Sequence, residues 1–176
     1  VGTTQLRIGL PTAPHTPKYP KGMDMSTDTA TEEFKPEYWP WGHDADKPRV
    51  LHTMIRIKNA DTSLRFYCEG LGMKLLDRFD FEHASFSILF LAYDSYEAGG
   101  AIELTYNWGK DDDYTHGNGY GHVAIGVPDI HGTVKRLEAL GYECPTQPKR
   151  MVPGAPHLAF AKDPDGYMIE LIETCS

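Results

Sequence analysis

The sequence predicts an α+β fold of two β-α-β-β-β modules, and the main reason is an internal repeat. One segment opens at His52 and closes at Glu103, and a second opens at His122 and closes at Glu170. The two His-to-Glu spacings, 51 and 48 residues, are nearly equal. Each segment also shows one helical stretch followed by three strand-like stretches. We place the modules at residues 50–107 and 121–174, within one domain at 50–174.

In the first module the hydrophobic pattern changes from strand to helix and back. Ile55 and Ile57 recur with the period of two that predicts a strand. Asp61 is expected to cap the helix that follows, and Gly70 and Gly72 are expected to end it. Three further strands are predicted over residues 74–79, 86–93 and 101–106.

The second module repeats this order. Residues 122–127 form a predicted strand, Asp129 is the expected helix cap and Gly141 the expected helix end. Residues 163–166, Asp-Pro-Asp-Gly, predict a type I turn, because proline takes its second position and glycine its fourth. Two such sheets placed edge to edge would form a curved cleft, open on the side away from the helices. The other strands are predicted over residues 156–162 and 167–173, with a short one from Tyr142 onward.

Charge and composition disfavour two classes of partner. The net charge of -8 disfavours nucleic acid and anionic membranes as partners, because both attract basic surfaces. No apolar run approaches the roughly 18 residues of a membrane span. The cysteines fit no zinc-binding spacing and are interpreted as reduced thiols of a cytoplasmic protein; they are Cys68, Cys144 and Cys175.

Residues 1–49 are predicted to be an extended, proline-rich N-terminal arm. Seven of the 13 prolines precede residue 50, and the segment has neither strand nor helical periodicity. It also lacks the apolar core of a signal peptide. Its aromatic residues between 34 and 41 are expected to dock the arm on a surface, and His43 is interpreted as a surface residue.

Four residues at corresponding places in the two modules are candidates for metal binding: His52, Glu103, His122 and Glu170. Both glutamates lie between apolar neighbours, and buried carboxylates are rare unless they are paired or bind a metal. Singly, each residue could be an ordinary core histidine or sheet-edge glutamate, but their recurrence in both modules favours one shared site. Two imidazoles and two carboxylates suit a divalent first-row ion and leave open positions for catalysis. The remaining histidines are interpreted as structural or surface residues: His83, His116, His131 and His157.

At these residues the sequence resembles glyoxalase I (lactoylglutathione lyase), of the vicinal oxygen chelate superfamily. The resemblance covers about residues 50–174 and implies the glyoxalase/bleomycin resistance/dioxygenase fold. Its most specific part is the run Glu-Leu-Thr-Tyr-Asn-Trp-Gly at residues 103–109, with His52 and Arg56 upstream. The other matching runs are residues 51–56, 119–122 and 163–171.

The resemblance implies a homodimer with metal sites at the subunit interface. Each chain provides two of the four ligands of a site. Carried over by position, the ligands are His52, Glu103, His122 and Glu170. Histidine at the first ligand position and a short loop at 94–100 resemble the class activated by Ni²⁺ or Co²⁺. An N-terminal extension is more typical of the Zn²⁺ class. We favour Ni²⁺, with Co²⁺ and Zn²⁺ as alternatives.

The family isomerises the hemithioacetal of methylglyoxal and glutathione to S-D-lactoylglutathione, which detoxifies methylglyoxal. The resemblance implies a metal-bound cis-enediolate, with Glu170 as the base and Glu103 as its counterpart on the opposite face of the substrate. Glutathione is the cosubstrate, and no redox cofactor is needed.

The expected glutathione contacts lie close to the ligands. Arg56 follows His52 by four residues on the same strand face, and Asn107 stands in the same relation to Glu103. Arginine suits a glutathione carboxylate because it can bind it with two hydrogen bonds. Two further candidates, for the glycyl carboxylate, are Lys149 and Arg150. An apolar pocket is expected to be lined by Phe81, Phe86, Ile88 and Phe90.

Three alternatives remain open at this point. Extradiol dioxygenases and fosfomycin-modifying transferases share the fold but use two histidines and one carboxylate, so Glu103 speaks against them. An acyl-CoA epimerase would share the proton-transfer chemistry. A metal-free antibiotic-binding protein would have no reason to keep four metal-binding side chains.

Overall fold

The computed structural model describes residues 48–174. The predicted arm at 1–49 therefore lies outside the described residues except for Pro48 and Arg49, and His43 and Cys175 also fall outside them. None of the helices in this described part is long and apolar enough to span a membrane.

The chain folds into two β-α-β-β-β modules, as the sequence predicts. Each module forms one four-stranded sheet, in which the first strand pairs with the fourth, the fourth with the third and the third with the second. The first and last strands of each module are parallel, and the other pairs are antiparallel. The elements are β1 (His52–Ile57), α1 (Ala60–Leu64) continuing as a π-helical segment (Arg65–Gly70), β2 (Lys74–Phe81), a 3-10 turn (Glu82–Ala84), β3 (Phe86–Ala92), β4 (Ala101–Asn107), β5 (His122–Val127), α2 (Ile130–Ala139), β6 (Thr146–Lys149), β7 (Leu158–Lys162) and β8 (Met168–Glu173).

The first helix begins two residues earlier than the sequence predicts. Asn59, not Asp61, is its N-cap: the Asn59 side chain accepts a hydrogen bond of 3.0 Å from the backbone N–H of Thr62. Asp61 lies in the first turn, where a negative charge is favoured by the helix dipole. The predicted cap of α2 is confirmed, since Asp129 accepts from the backbone N–H of Gly132 at 2.8 Å.

The short strand predicted from Tyr142 begins only at Thr146. The backbone N–H of Tyr142 instead donates to the carbonyl of Leu137 at 3.0 Å, which closes the end of α2. The Tyr142 ring packs edge-on against Phe66 at 4.9 Å between ring centroids. This segment therefore joins the two modules rather than extending the sheet.

One hydrophobic core spans both modules, because the helical side of each sheet packs toward the other. Arg136 of α2 donates from Nε to the carbonyl of Gly70 at 2.8 Å, across the module boundary. Gly70 is in close contact there: a Cβ at this position would lie 2.6 Å from Leu137 Cδ2. Within the described chain the two sheets are not hydrogen-bonded to each other.

The predicted turn at residues 163–166 is present and anchors the second module on the first. Asp163 is buried, and it accepts hydrogen bonds from the Tyr67 hydroxyl (2.9 Å) and from the backbone N–H groups of Asp165 (2.9 Å) and Tyr167 (2.8 Å). Gly166 takes a positive φ of 90°, which glycine adopts without strain. Burial raises the pKa of the Asp163 carboxyl to about 6, although its hydrogen bonds oppose the change.

Candidate metal centre

The first His–Glu pair lies where β1 and β4 run side by side. Along β1, Ile55 and Ile57 are buried in the core, so His52 and Arg56 lie on the opposite face of the sheet. Glu103 of β4 shares this face. The His52 Nε2 atom is 3.1 Å from Glu103 Oε2.

The second pair repeats this geometry on β5 and β8. The His122 Nε2 atom is also 3.1 Å from Glu170 Oε2. The strand registers correspond, because each glutamate pairs with the residue two positions after its histidine, Met54 or Ala124. The repeat found in the sequence is therefore also a repeat of the His–Glu geometry.

Each imidazole meets a phenylalanine from the strand on the far side of the glutamate strand. His52 meets Phe90 edge-on, at 5.6 Å between ring centroids and an interplanar angle of 64°. His122 meets Phe160 in the same way, at 5.5 Å and 75°. Both phenylalanines pair with the glutamates, in the registers Phe90–Glu103 and Phe160–Glu170. Sequence reasoning missed Phe160, although its place at the corresponding position of the second module could have revealed it.

The donor atoms fit a divalent first-row ion. Two ligand atoms that bind an ion at about 2.1 Å and at a right angle lie about 3.0 Å apart. The Nε2–Oε2 distance of 3.1 Å in both pairs matches this separation. The carboxylates are 12% and 16% exposed and the imidazoles 32% and 43%, so both pairs are open to the outside of the chain.

The described residues of one chain do not bring the four candidates together. No group of three or more His, Cys, Asp or Glu side chains within residues 48–174 is arranged to hold a metal ion. Each module instead carries one half-site, consisting of one imidazole and one carboxylate.

The four expected glutathione contacts lie at two separate places. Arg56 and Asn107 share the sheet face of the first half-site, and the Asn107 side-chain amide donates to the Tyr114 hydroxyl at 3.0 Å. Lys149 ends β6, and Arg150 follows it, with its guanidinium donating to the carbonyl of Ala155. Sequence reasoning missed Tyr114, which lies in the loop after β4 and carries no motif.

The predicted apolar pocket residues share one face of the first sheet. Phe86, Ile88 and Phe90 pair with Asn107, Thr105 and Glu103 respectively, so their side chains lie on the Glu103 face. Phe81 stacks on Phe86 at 4.6 Å between ring centroids. An apolar surface therefore extends beside the first half-site.

The other described histidines lie away from both half-sites. His116 stacks on Tyr167 at 4.1 Å, and His131 meets His157 at 5.3 Å. His157 Nδ1 is 2.7 Å from Glu173 Oε2, and His83 packs near Phe81. Their interpretation as structural or surface side chains stays a prediction.

Comparison with known proteins identifies the class. Residues 49–171 match the family model of the Glyoxalase/Bleomycin resistance protein/Dioxygenase superfamily, and the chain belongs to that superfamily. A Vibrio cholerae protein named as a probable lactoylglutathione lyase is 46% identical over 125 residues, which is 71% of this chain and 90% of that protein. Other curated proteins named lactoylglutathione lyase share 40–43% identity. The expected resemblance to glyoxalase I, and an enzyme of the lactoylglutathione lyase class, are thereby confirmed.

Solved structures agree with these relatives. Glyoxalase I of Leishmania major, described as trypanothione-dependent, is 38% identical, with a TM-score of 0.64 over 72% of this chain and 87% of that chain. Glyoxalase I of Zea mays is 36% identical, with a TM-score of 0.69 over 73% of this chain. The present chain spans only 45% of the length of the maize chain.

Proposed function

We propose that this chain is a metal-dependent glyoxalase I, which converts the hemithioacetal of methylglyoxal and glutathione to S-D-lactoylglutathione. The observation that carries the proposal is the pair of matching His–Glu half-sites on the exposed sheet faces. Since one described chain holds only half-sites, the active enzyme would be a homodimer with two shared centres. Its role would be methylglyoxal detoxification in the cytoplasm, with no nucleic acid or membrane partner.

His52, Glu103, His122 and Glu170 would hold one divalent ion at each centre. The ion would stabilise the negative charge that develops on the two substrate oxygens. Glu170 would take the proton from C1 of the hemithioacetal, the carbon that carries the sulfur and the hydroxyl group. The same carboxyl group would return the proton to C2, so the reaction through the cis-enediolate is an isomerisation without a redox step.

Side chains of the first module would bind the rest of the substrate. Arg56 and Asn107 extend beyond the half-site on its own sheet face, where they would contact glutathione. Phe86, Ile88 and Phe90 would exclude water beside the reacting carbons. Lys149 and Arg150 would contact the glycyl carboxylate from the second module.

Metal-stripped protein, refilled in turn with Ni²⁺, Co²⁺ and Zn²⁺, would test the proposal. Thioester formation from methylglyoxal and glutathione is followed by ultraviolet absorbance. We expect no turnover without metal and the fastest turnover with Ni²⁺. Turnover with Zn²⁺ alone would contradict the metal preference but not the reaction.

A folded dimer that is inactive with every metal and with glutathione would contradict the proposed reaction. The same assay with trypanothione would then test a different thiol, because the Leishmania major enzyme is described as dependent on it. Acyl-CoA epimerisation and antibiotic binding without metal are the two further outcomes to examine.

A further inference from the structure

The two half-sites differ at the position two residues after the glutamate. Thr105, two residues after Glu103, is buried and donates from Oγ1 to Glu103 Oε1 at 3.0 Å. The corresponding position, two residues after Glu170, is Ile172, which has no donor. The positions correspond in register as well, since Thr105 pairs with Arg56 of β1 and Ile172 pairs with Gly126 of β5.

The hydrogen bond fixes one carboxylate more firmly than the other. Glu103 has one oxygen beside the His52 imidazole and the second oxygen on the Thr105 hydroxyl. Within residues 48–174, Glu170 has a polar partner only for Oε2, at the His122 imidazole. To turn away from its half-site, Glu103 must break the hydrogen bond from Thr105 as well as its contact with His52, whereas Glu170 has only its contact with His122 to break.

We propose that Thr105 is a positioning residue, which keeps Glu103 on the metal and makes Glu170 the carboxylate that can leave it. This inference rests on the proposed function, because it explains which of two equivalent glutamates acts as the base. The carboxylate oxygen that takes a proton from carbon must not itself be bound to the ion. Because Ile172 has no hydrogen-bond donor, Glu170 can leave the ion at a lower cost in free energy than Glu103.

Metal affinity without substrate is the first test. Thr105→Val keeps the side-chain shape but removes the hydroxyl, and Thr105→Ser keeps the hydroxyl. We expect the valine variant to bind Zn²⁺ and Ni²⁺ 10- to 100-fold more weakly in competition with a coloured chelator. The serine variant is expected to bind both ions as the wild type does. Unchanged affinity in a folded Thr105→Val dimer would overturn the proposal.

Adding the missing hydroxyl to the second module is the converse test. Ile172→Thr introduces a donor two residues after Glu170, and Ile172→Val is the control for lost side-chain volume. We expect the threonine variant to bind metal more tightly and to lower kcat by about 10-fold with little change in KM, since only the proton-transfer step is slowed. The valine variant is expected to keep both values. A threonine variant with wild-type kcat would contradict the proposal.

The two tests separate this inference from the proposed reaction. If the wild type proves inactive with methylglyoxal and glutathione, the proposed reaction fails, but the chelator measurements still decide the role of Thr105. Absorption spectra of the Co²⁺-loaded variants give a further readout. Loss of the Thr105 hydroxyl should change the spectrum, and serine should restore it.

Discussion

The carboxyl group of Asp163 gives the fold a specific dependence on pH. Burial raises its pKa to about 6 from an ordinary value of 3.8, so the folded state binds the proton more tightly than the unfolded state. The corresponding stability is fully present below pH 3.8 and is lost as the pH rises through about 6.

Asp163→Asn should remove this dependence of stability on pH, because asparagine does not titrate. Its side-chain oxygen can still accept hydrogen bonds from the backbone N–H groups of the turn. Between about pH 4 and pH 7.5, the free energy of unfolding of the wild type should fall by about 2 kcal/mol relative to that of the variant. Urea unfolding at both pH values measures the difference. Parallel pH profiles of the two proteins would contradict the prediction.

Glu170→Gln should lower kcat by about 10²- to 10⁴-fold while the protein stays folded, because the amide cannot take the proton. Glu173→Gln is a matched control, since Glu173 lies on the same strand and also pairs with a histidine, His157. Thioester formation and thermal unfolding are measured for both variants. Near-normal turnover of Glu170→Gln would exclude it as the base.

At the scale of single residues, recurrence in the two modules makes the candidate ligands visible in the sequence. His52, Glu103, His122 and Glu170 recur at matching spacings, so they are visible without a structure. Thr105 was noted only within the family motif, because its hydrogen bond depends on the rotamers of two strand residues. Tyr114 lies in a loop without periodicity, and only the folded backbone brings it to Asn107.

At the scale of elements, the packing of the π-helical segment on α2 depends on Gly70. Gly70→Ala should destabilise the fold by about 1–3 kcal/mol, because its Cβ would lie 2.6 Å from the buried Leu137 Cδ2. Gly99→Ala is the control, since a Cβ there meets nothing within 4 Å. Chemical denaturation measures both variants, and an equal effect of the two substitutions would refute this role of Gly70.

The errors in predicted element boundaries have physical origins. Asn59 and Asp61 are both suitable caps by residue type, and the extended backbone at Asn59 decides between them. Tyr142 favours a strand by residue type, but closing α2 and packing its ring on Phe66 take precedence. Backbone geometry thus decides the first boundary, and a contact between the modules contributes to the second.

At the scale of the whole molecule, metal centres shared between two chains predict that two inactive variants restore activity when they form a mixed dimer. His52→Ala damages the first half-site and His122→Ala the second, so each homodimer should be inactive. A mixed dimer would contain one centre with both half-sites intact. After unfolding and refolding of an equimolar mixture, we expect about a quarter of the wild-type activity.

The activity of the mixture decides whether the centre is shared. If all four ligands came from one chain, neither variant would hold an intact centre, and mixing would restore nothing. Size-exclusion chromatography of the mixture checks that dimers have formed. The sequence predicts the four ligands but not their division into pairs, because that division depends on which strands become neighbours.

The two half-sites have the same strand register, and this similarity has a consequence for the chirality of the product. Two nearly identical His–Glu pairs around one ion would accept a substrate in either of two orientations related by rotation. Arg56 lies four residues after His52, whereas the corresponding residue after His122 is Gly126, which offers no side chain. If Arg56 binds a glutathione carboxylate as proposed, it would favour the one orientation that brings this carboxylate to the first module. The handedness of the lactoyl carbon would thus be determined by a residue that touches no reacting atom.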